Sequence, residues 1–304
     1  MDKYNIVMPQ EVKDIIKQIE AAGFEAFAVG GCVRDCILGR TPQDWDITTS
    51  ALPSQIKEIF ARTIDTGIQH GTVTVMIGKT GYEITTYRID GEYKDCRHPE
   101  NVEFSSDLKD DLKRRDFTIN AMAKRTTDGE VIDILGGIDD IKSKKLRVLH
   151  DKSFEDDPTR ILRALKFSLR FGFTLDENTA RFQKEYLKNI NYDMSYHRLK
   201  KELVETFNLN SQEAYERFTS EGIYKLLGKS VLLPEYHPDF RNLNYSGRHI
   251  WLIYLSFFNL ENLELTRAEK RIIEWAERLK TEKQTNNTPI ESIIINEIYK
   301  EAVS

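Results

Sequence analysis

The apolar pattern of this chain changes near residue 145, and that change limits the folds it can adopt. Before this point, short apolar runs alternate with helical segments, which is typical of mixed α and β structure. From about residue 155 onward, apolar residues recur at three- and four-residue spacing, as at Ile161, Leu162 and Leu165, which indicates helices. The sequence therefore predicts a mixed α and β region followed by an all-helical region.

Residues 71–87 carry the clearest β pattern. Polar and apolar side chains alternate from Gly71 to Ile77 and from Tyr82 to Tyr87, and a glycine-rich tetrapeptide separates the two runs. This pattern predicts a β-hairpin with its turn at residues 78–81. The second strand carries Glu83, which either faces solvent or offers a carboxylate to a metal ion. A further apolar run at residues 117–123 predicts another strand.

Composition excludes several classes of protein. The chain has 304 residues, which suggests about two domains, and 40% of them are hydrophobic. Because 31% are charged and glycine and proline are few, collagen-like and disordered chains are excluded. No apolar window of about 18 residues predicts a membrane helix, and no basic-then-apolar signal peptide pattern opens the chain. We therefore expect a cytoplasmic protein with no membrane partner, whose three cysteines are reduced thiols.

The charge of the chain is unevenly distributed. The formal net charge is −5, which excludes a globally basic nucleic-acid-binding protein. Residues 142–170, however, hold nine Lys or Arg residues against four acids. Such a strip can bind a polyanion locally, although a solvated helix face would have the same charge pattern.

The sharpest group of residues combines two glycines with a nearby pair of aspartates. Gly30 and Gly31 stand between a short apolar run and a helical segment, where backbone N–H groups and Arg34 can approach a phosphate. Asp44 and Asp46 follow, and on a strand their side chains would share one face. Mg²⁺ prefers such oxygen ligands, and substrate phosphates can complete its coordination. The combination predicts phosphoryl or nucleotidyl transfer, whereas either half alone is more often a plain turn or a pair of solvated acids.

Five motifs, in order, resemble the bacterial class II tRNA nucleotidyltransferase/poly(A) polymerase family. They are GGCVRD at residues 30–35, DWDITT at 44–49, TGIQHGTVTV at 66–75, KRRDFTINAMA at 113–123 and DDPTRILRA at 156–164. The resemblance covers roughly residues 24–210. It implies an α+β fold with a polymerase-β-like nucleotidyltransferase head, a mixed antiparallel sheet with helices, followed by an all-α neck, body and short tail. We accordingly predict the head at residues 1–145, a nucleotide-selecting and RNA-binding neck at 146–210, and the body and tail at 211–304.

The resemblance also implies roles for individual residues of the head. Asp44 and Asp46 would be the catalytic residues and would hold Mg²⁺, while Gly31 and Arg34 would contact the triphosphate. Arg115, in the RRD motif, would contact the nucleotide. In the family, one metal ion activates the 3′-hydroxyl of the tRNA and another steadies the pyrophosphate, which is two-metal catalysis of an in-line displacement.

The motif that contains Asp157 and Arg160 resembles the family's base-selecting helix. In the family, such residues contact the Watson–Crick edge of the incoming base, where cytosine and adenine both present an amino donor and a ring-nitrogen acceptor. The alternative is a plain ion pair, because residues three apart share a helix face. Arg163, one helical turn after Arg160, would also contact the nucleotide. Lys166 follows at the same spacing, where the family often has an arginine.

The resemblance implies addition of CCA to tRNA from CTP and ATP, with release of pyrophosphate. Residues 90–104 look full length beside the family's flexible loop, which argues against addition of CC alone, and we predict that this loop switches the enzyme from C to A. The segment from Ser195 to Glu202 resembles a later family motif, which we interpret as structural.

Alternative activities remain open. They are a specialist that adds only A to CC-ended tRNA, a poly(A) polymerase, a nucleotidyltransferase that modifies proteins or small molecules, and a non-catalytic RNA-binding relative. No basic C-terminal extension favours a poly(A) polymerase, and no His-Asp pair predicts a phosphohydrolase domain. About 95 residues follow Phe207, so we expect a smaller body and tail than in many relatives.

Overall fold

The structure, a computed structural model, describes Tyr4 and residues 6–90, 102–125, 129–235 and 238–303. The chain divides into two compact units. The first comprises Met1–Ser153 with Thr174–Thr179, and the second comprises Phe154–Phe173 with Ala180–Ser304. The predicted fold class, an α+β region followed by helices, is confirmed. Most of the segment 90–104, which we predict to act as a switch, lies outside the described residues.

In its described residues, the first unit combines helices with short strands. The helices are α1 Gln10–Ala21, α2 Gly31–Ile37, α3 Pro53–Ile59, α4 Leu108–Lys113 and α5 Gly137–Ser143. The strands are β1 Ala26–Val29, β2 Ile47–Thr49, β3 Thr63–Gly67, β4 Thr72–Ile77, β5 Thr80–Thr86, β6 Arg88–Asp90, β7 Val102–Phe104, β8 Ala123–Lys124, β9 Val131–Ile132, β10 Lys145–Leu146 and β11 Thr174–Leu175.

Seven of these strands form one mixed sheet in the order β3-β4-β5-β2-β1-β8-β9. The pair β2 and β5 is parallel, with Ile47 opposite Ile84, and the other neighbours are antiparallel. Apolar residues of β1 and β8 pack with Tyr87 and with two leucines of α4 in a buried core. This order places β2, which follows the two aspartates, between β5 and β1.

The predicted hairpin is present, but its turn is shorter than predicted. Ile77 pairs directly with Thr80, so the turn consists of Gly78 and Lys79 rather than residues 78–81. Two-residue turns suit the right-handed twist of a hairpin, and Gly78 has a positive φ of 61°. Strand β5 therefore begins at Thr80, three residues before Glu83.

The predicted strand at residues 117–123 is wrong over most of its length. Thr118–Asn120 form a 3₁₀ helix, and only Ala123 belongs to a strand, β8. The carboxylate of Asp116 accepts hydrogen bonds from the main-chain N–H of Phe117 and from the amide of Asn120. These local bonds compete with an extended ladder, so an apolar run that resembles a strand becomes a tight turn.

The C-terminal half of the chain is helical. Its helices are α6 Ser153–Asp156, α7 Thr159–Phe171, α8 Glu177–Tyr186, α9 Tyr196–Phe207, α10 Ser211–Ser220, α11 Ile250–Leu255, α12 Arg267–Arg278 and α13 Ile290–Val303. In the second unit α7 packs along α9, and aromatic side chains fill much of the core, as where Phe240 stacks on Tyr254. Among the described residues, no helix has the length and apolar character needed to span a membrane.

Candidate active site

The two aspartates of the D-x-D motif lie immediately before β2 rather than on it. Alternation is nevertheless preserved, because Trp45 is buried while Asp44 and Asp46 are exposed. The main-chain N–H of Val29 donates to the Asp46 carbonyl at 3.0 Å, which fixes this segment against β1. Within the described part of the chain, no hydrogen bond or ion pair satisfies either carboxylate. Both side chains are therefore available to an external partner.

Glu83 lies beside this pair, as one of the two sequence-based alternatives predicts. In the parallel register, Ile47 of β2 is opposite Ile84 of β5, so Asp46 and Glu83 occupy matching positions just before them. Asp44, Asp46 and Glu83 line one cleft of about 570 Å³. Three carboxylates thus line the same cleft at the edge of β2 and β5.

The surroundings of Asp46 disfavour the ionised form of its carboxyl group. Removal of water from part of its surroundings is the main cause that raises the pKa of Asp46 above its ordinary value. Arg115 opposes this rise, whereas the negative charges of Glu83 and Asp44 reinforce it. Because the carboxylate still reaches solvent through the cleft, a cation could approach it and relieve the repulsion.

Arg115 stands on the other side of Asp46, against the glycine turn. Gly30 has a φ of 80°, and a Cβ atom there would lie only 2.9 Å from Nη1 of Arg115. Glycine is thus required at this position both by the backbone and by the guanidinium. The Nε of Arg115 is buried without a hydrogen-bond partner in the described structure, which is costly unless a ligand or water satisfies it.

Asp111 holds Arg115 in place, and our sequence analysis did not identify it. Its carboxylate is fully buried and accepts hydrogen bonds from Arg114, from Arg115 at 2.9 Å and from Thr48 at 3.1 Å. Burial alone would raise the pKa of Asp111, but the two arginines outweigh it and hold the pKa below its ordinary value. The i,i+3 and i,i+4 spacing to the two arginines was the signal that could have revealed it.

Arg34 lies in a buried hydrogen-bond network rather than at an open phosphate-binding turn. Its guanidinium donates to Asp35 at 2.9 Å and to the side-chain oxygen of Asn120, whose amide in turn donates to Asp116. The side chain is only 6% exposed. A contact between Arg34 and a triphosphate therefore stays a prediction, as does a contact with Gly31, which begins α2.

In the second unit, Asp157 does not form the plain ion pair with Arg160. One of its oxygens accepts from the main-chain N–H and the hydroxyl of Thr159 at 3.1 and 2.6 Å, in an Asx turn just before α7. The other accepts from Arg198 of α9 at 2.5 Å. Arg160 is itself buried, at 6% exposure. Arg198 was not among our predicted site residues, and only its place in the motif of residues 195–202 pointed to it.

Arg163 and Lys166 also contact α9. Glu202, which is buried, accepts from Arg163 at 3.3 Å and from Lys166 at 2.6 Å. Lys166 further donates to Glu205 at 2.7 Å. The motif on α9 therefore neutralises the cations that α7 presents, which agrees with its interpretation as structural.

The chemistry of the donor set in the first unit suits a hard divalent cation. Asp44, Asp46 and Glu83 offer only carboxylate oxygens, which Mg²⁺ favours over nitrogen or sulfur. Within the described residues, no three acidic, histidine or cysteine side chains are already arranged around a metal position. Mg²⁺ sites in enzymes that act on nucleotides commonly use one or two carboxylates and complete the shell with substrate phosphates, so the residues fit that kind of site.

Comparison with known proteins supports this assignment of the first unit. Residues 26–147 match the family described as Poly A polymerase head domain. A CCA-adding enzyme of Latilactobacillus sakei is 52% identical over 171 residues, which cover 56% of this chain and 43% of that protein. A CCA-adding enzyme of Lactobacillus helveticus is 39% identical over 263 residues, which cover 83% and 64% respectively. The chain thus spans less than two thirds of the length of either relative.

The fold has a close counterpart among solved structures. The Bacillus stearothermophilus CCA-adding enzyme in complex with CTP is similar with a TM-score of 0.71 and 28% identity, over 98% of this chain and 79% of that one. Nucleotidyltransferases of this kind generally use divalent metal ions. The ordered motifs, the mixed sheet with Asp44 and Asp46 just before one of its strands, and these similarities agree with one another. The chain therefore belongs to the class II tRNA nucleotidyltransferase/poly(A) polymerase family.

Proposed function

We propose that this protein is a template-independent RNA nucleotidyltransferase that adds C and A from CTP and ATP to the 3′ end of tRNA. The observation that carries the proposal is the pair of unsatisfied carboxylates, Asp44 and Asp46, beside a glycine turn and Arg115. Such a pair serves little purpose in a resting fold, because it destabilises itself by repulsion. Similarity to proteins named CCA-adding enzymes supports the choice of reaction.

Asp44 and Asp46 would hold Mg²⁺, and Glu83 is the adjoining carboxylate. When bound, the cation supplies positive charge that lowers the pKa of the attacking 3′-hydroxyl and neutralises the leaving pyrophosphate. Asp44 and Asp46 position that charge, and their own negative charge keeps the triphosphate from binding there without it.

The triphosphate would be held by Gly31, Arg34 and Arg115. Gly31 contributes main-chain N–H groups, and Arg115 contributes a guanidinium fixed by Asp111, with an Nε–H that no described residue satisfies. A fixed, planar donor can bind phosphate oxygens at little cost in side-chain entropy. Arg34 would contribute positive potential from its network with Asp35 and Asn120.

Base selection would be the role of Asp157, Arg160, Arg163 and Lys166. The Asp157 carboxylate can accept from the exocyclic amino group, and an arginine can donate to the ring nitrogen, which cytosine and adenine share. The contact of Asp157 with Arg198 fixes the acceptor, and Glu202 fixes the cations of Arg163 and Lys166. A protein-side template of this kind rejects guanine and uracil by leaving its own polar groups unpaired.

The proposal extends to the domains of the chain, its place of action and a second candidate activity. The head would occupy residues 1–145, the nucleotide-selecting neck 146–210, and the body and tail 211–304. Because tRNA maturation takes place in the bacterial cytoplasm, we infer that the protein acts there. Addition of A alone to CC-ended tRNA, or of poly(A), is the second candidate, since the family includes enzymes that do each.

The test is an incorporation assay with three tRNA transcripts that end before the first C, after CC, and after CCA. Each is incubated with labelled CTP or ATP and Mg²⁺. A CCA-adding enzyme extends the first with C and the second with A and leaves the third unchanged. Extension of the second transcript alone would make the protein an A-adding enzyme, and repeated addition of A to the third would make it a poly(A) polymerase. No incorporation at all would refute the proposal.

A further inference from the structure

The 3₁₀ helix Thr118–Asn120 packs against the glycine turn that opens α2. The main-chain N–H of Gly30 donates to the carbonyl of Met122 at 3.0 Å. A Cβ atom built on Gly30 would lie 3.6 Å from the carbonyl oxygen of Asn120, so the two segments lie side by side. This packing brings together Arg34 and Asn120, which stand 86 positions apart in the sequence.

The guanidinium of Arg34 is bonded from two sides. Its Nε and Nη2 donate to the Asp35 carboxylate at 2.9 and 2.7 Å, and its Nη1 donates to the side-chain oxygen of Asn120. A Cβ atom on Gly31 would lie 3.5 Å from Nη2, so the guanidinium packs beside the turn. Because all three nitrogens have a partner, the position and plane of the guanidinium are fixed relative to the turn.

The amide of Asn120 has one orientation that satisfies both of its neighbours. Arg34 can only donate and the ionised carboxylate of Asp116 can only accept, so the amide oxygen faces Arg34 and the amide nitrogen faces Asp116, at 2.9 Å. All three side chains are buried. Aspartate has nearly the same shape as asparagine, but at position 120 it would set two carboxylates against each other. The site therefore requires a neutral side chain with both an acceptor and a donor.

We propose that Asn120 is a positioning residue for the triphosphate and that it acts through Arg34. The inference rests on the proposed function, in which Arg34 contributes positive potential beside the glycine turn. Asp35 already offsets part of the charge of Arg34. A neutral acceptor fixes the other side of the guanidinium without offsetting that charge further, whereas a second carboxylate would weaken its attraction for phosphate. Asn120 thus keeps Arg34 both fixed and positively charged toward the substrate.

The experiment measures incorporation of labelled CTP into tRNA lacking CCA by Asn120→Ala and Asn120→Asp. We expect KM for CTP to rise about tenfold in Asn120→Ala, because a buried hydrogen bond to a charged group is lost. The rise in Asn120→Asp should be at least as large, while KM for tRNA changes less than about twofold in both variants. A side chain that only filled space would give the reverse order, with the aspartate variant close to the wild-type protein, and that order would overturn the inference.

Thr118→Val is the matched control on the same 3₁₀ helix. Thr118 is buried, and its hydroxyl donates to Asp140 of α5 at 2.5 Å, a bond that does not involve Arg34. This variant should lower Tm while KM for CTP stays within about twofold of the wild-type value. Equal rises of KM in Thr118→Val and Asn120→Ala would show that Asn120 merely supports the fold.

A double variant tests whether Asn120 acts through Arg34. Arg34→Gln keeps a donor for its neighbours but loses the charge, and we expect it to raise KM for CTP by itself. Adding Asn120→Ala should cause little further rise, since two changes that remove the same interaction are not additive. Effects that multiply, or a normal KM in Arg34→Gln, would overturn the inference. Failure of the proposed function is distinguishable, because the wild-type protein itself would then incorporate nothing.

Discussion

The two groups of site residues differ in how the protein satisfies them. In the first unit, Asp44 and Asp46 have no hydrogen-bond partner among the described residues, and their surroundings raise the pKa of Asp46. In the second unit, Asp157 is bonded to Thr159 and Arg198, and Glu202 neutralises Arg163 and Lys166. The difference indicates that the two groups of residues have different functions. Under our proposal, the groups that would hold a cation are left unsatisfied until it binds, whereas the groups that would read a base are fixed beforehand.

Loss of either aspartate should give the largest effect. We expect Asp44→Ala or Asp46→Ala to reduce nucleotide incorporation by about a thousandfold or more, because charge stabilisation by a metal ion contributes several kcal/mol to such a reaction. Incorporation of labelled CTP into tRNA lacking CCA measures the effect. Asp65→Ala, which removes an exposed aspartate paired only with Lys57, should leave activity within about twofold. Variants of the D-x-D motif that kept near-normal activity would remove it from the site.

Substitutions at Asp157, Arg160 or Arg198 should alter the selectivity between nucleotides more than the rate of incorporation. Asp157→Ala or Arg160→Ala should reduce the preference for CTP over UTP by about tenfold to a hundredfold, since discrimination depends on leaving the protein's own polar groups unpaired. The readout is the ratio of kcat/KM for the two nucleotides. Arg198→Ala, which leaves the Asp157 carboxylate bonded to Thr159 alone among the described residues, should give a smaller loss of the same kind. Equal loss of all four nucleotides would make Asp157 and Arg160 structural.

The ion pairs between α7 and α9 should contribute to stability in proportion to their burial. Glu202→Ala removes the buried carboxylate that accepts from Arg163 and Lys166, and we expect a loss of about 1–3 kcal/mol in the free energy of unfolding. Glu205→Ala removes a more exposed partner of the same lysine and should cost less than about 1 kcal/mol. Urea denaturation of the two variants measures both values, and equal losses would contradict a special role for Glu202.

The smallest effect should be a gain in stability. Because its surroundings raise the pKa of Asp46 in the folded chain, ionisation of this group is harder there than in the unfolded chain. The stability that the group contributes is therefore present at low pH and is lost as the pH rises through the folded pKa. At pH 7 without metal, Asp46→Asn should raise Tm by about 2 °C or less, since solvent contact limits the effect. A lower Tm would show that the ionised carboxylate is satisfied in a way that the structure does not show.

Much of the first group could be predicted from sequence because each of its residues belongs to a short motif. Gly30, Asp44, Asp46 and Arg115 belong to motifs whose spacing fits a strand, a turn and a helix. The position of Glu83 beside Asp46 could be predicted only as one of two alternatives, because it depends on the parallel pairing of β2 with β5, which no local pattern reveals. The exact extent of the hairpin and the 3₁₀ helix after Asp116 depended on local hydrogen bonds that apolar alternation does not reveal.

Partners in the second group were harder to predict. Asp157 and Arg160 have the spacing of an ion pair, yet the carboxylate binds Arg198, 41 residues further along the chain. Similarly, Asp111 could be recognised from its spacing to Arg114 and Arg115 but not from its contact with Thr48. Contacts of this type, between elements far apart in the sequence, depend on tertiary packing, which no local sequence pattern reveals.

Direct measurement of cation binding tests the central claim that Asp44 and Asp46 are unsatisfied because they hold a divalent ion. Mn²⁺ can replace Mg²⁺ as a paramagnetic probe, and electron paramagnetic resonance measures its binding in the presence and absence of CTP. We predict tight Mn²⁺ binding by the wild-type protein with CTP, and affinity weaker by about tenfold or more in Asp46→Asn, whose folding is checked by its Tm. Equal Mn²⁺ affinity in the variant and the wild-type protein would contradict the account.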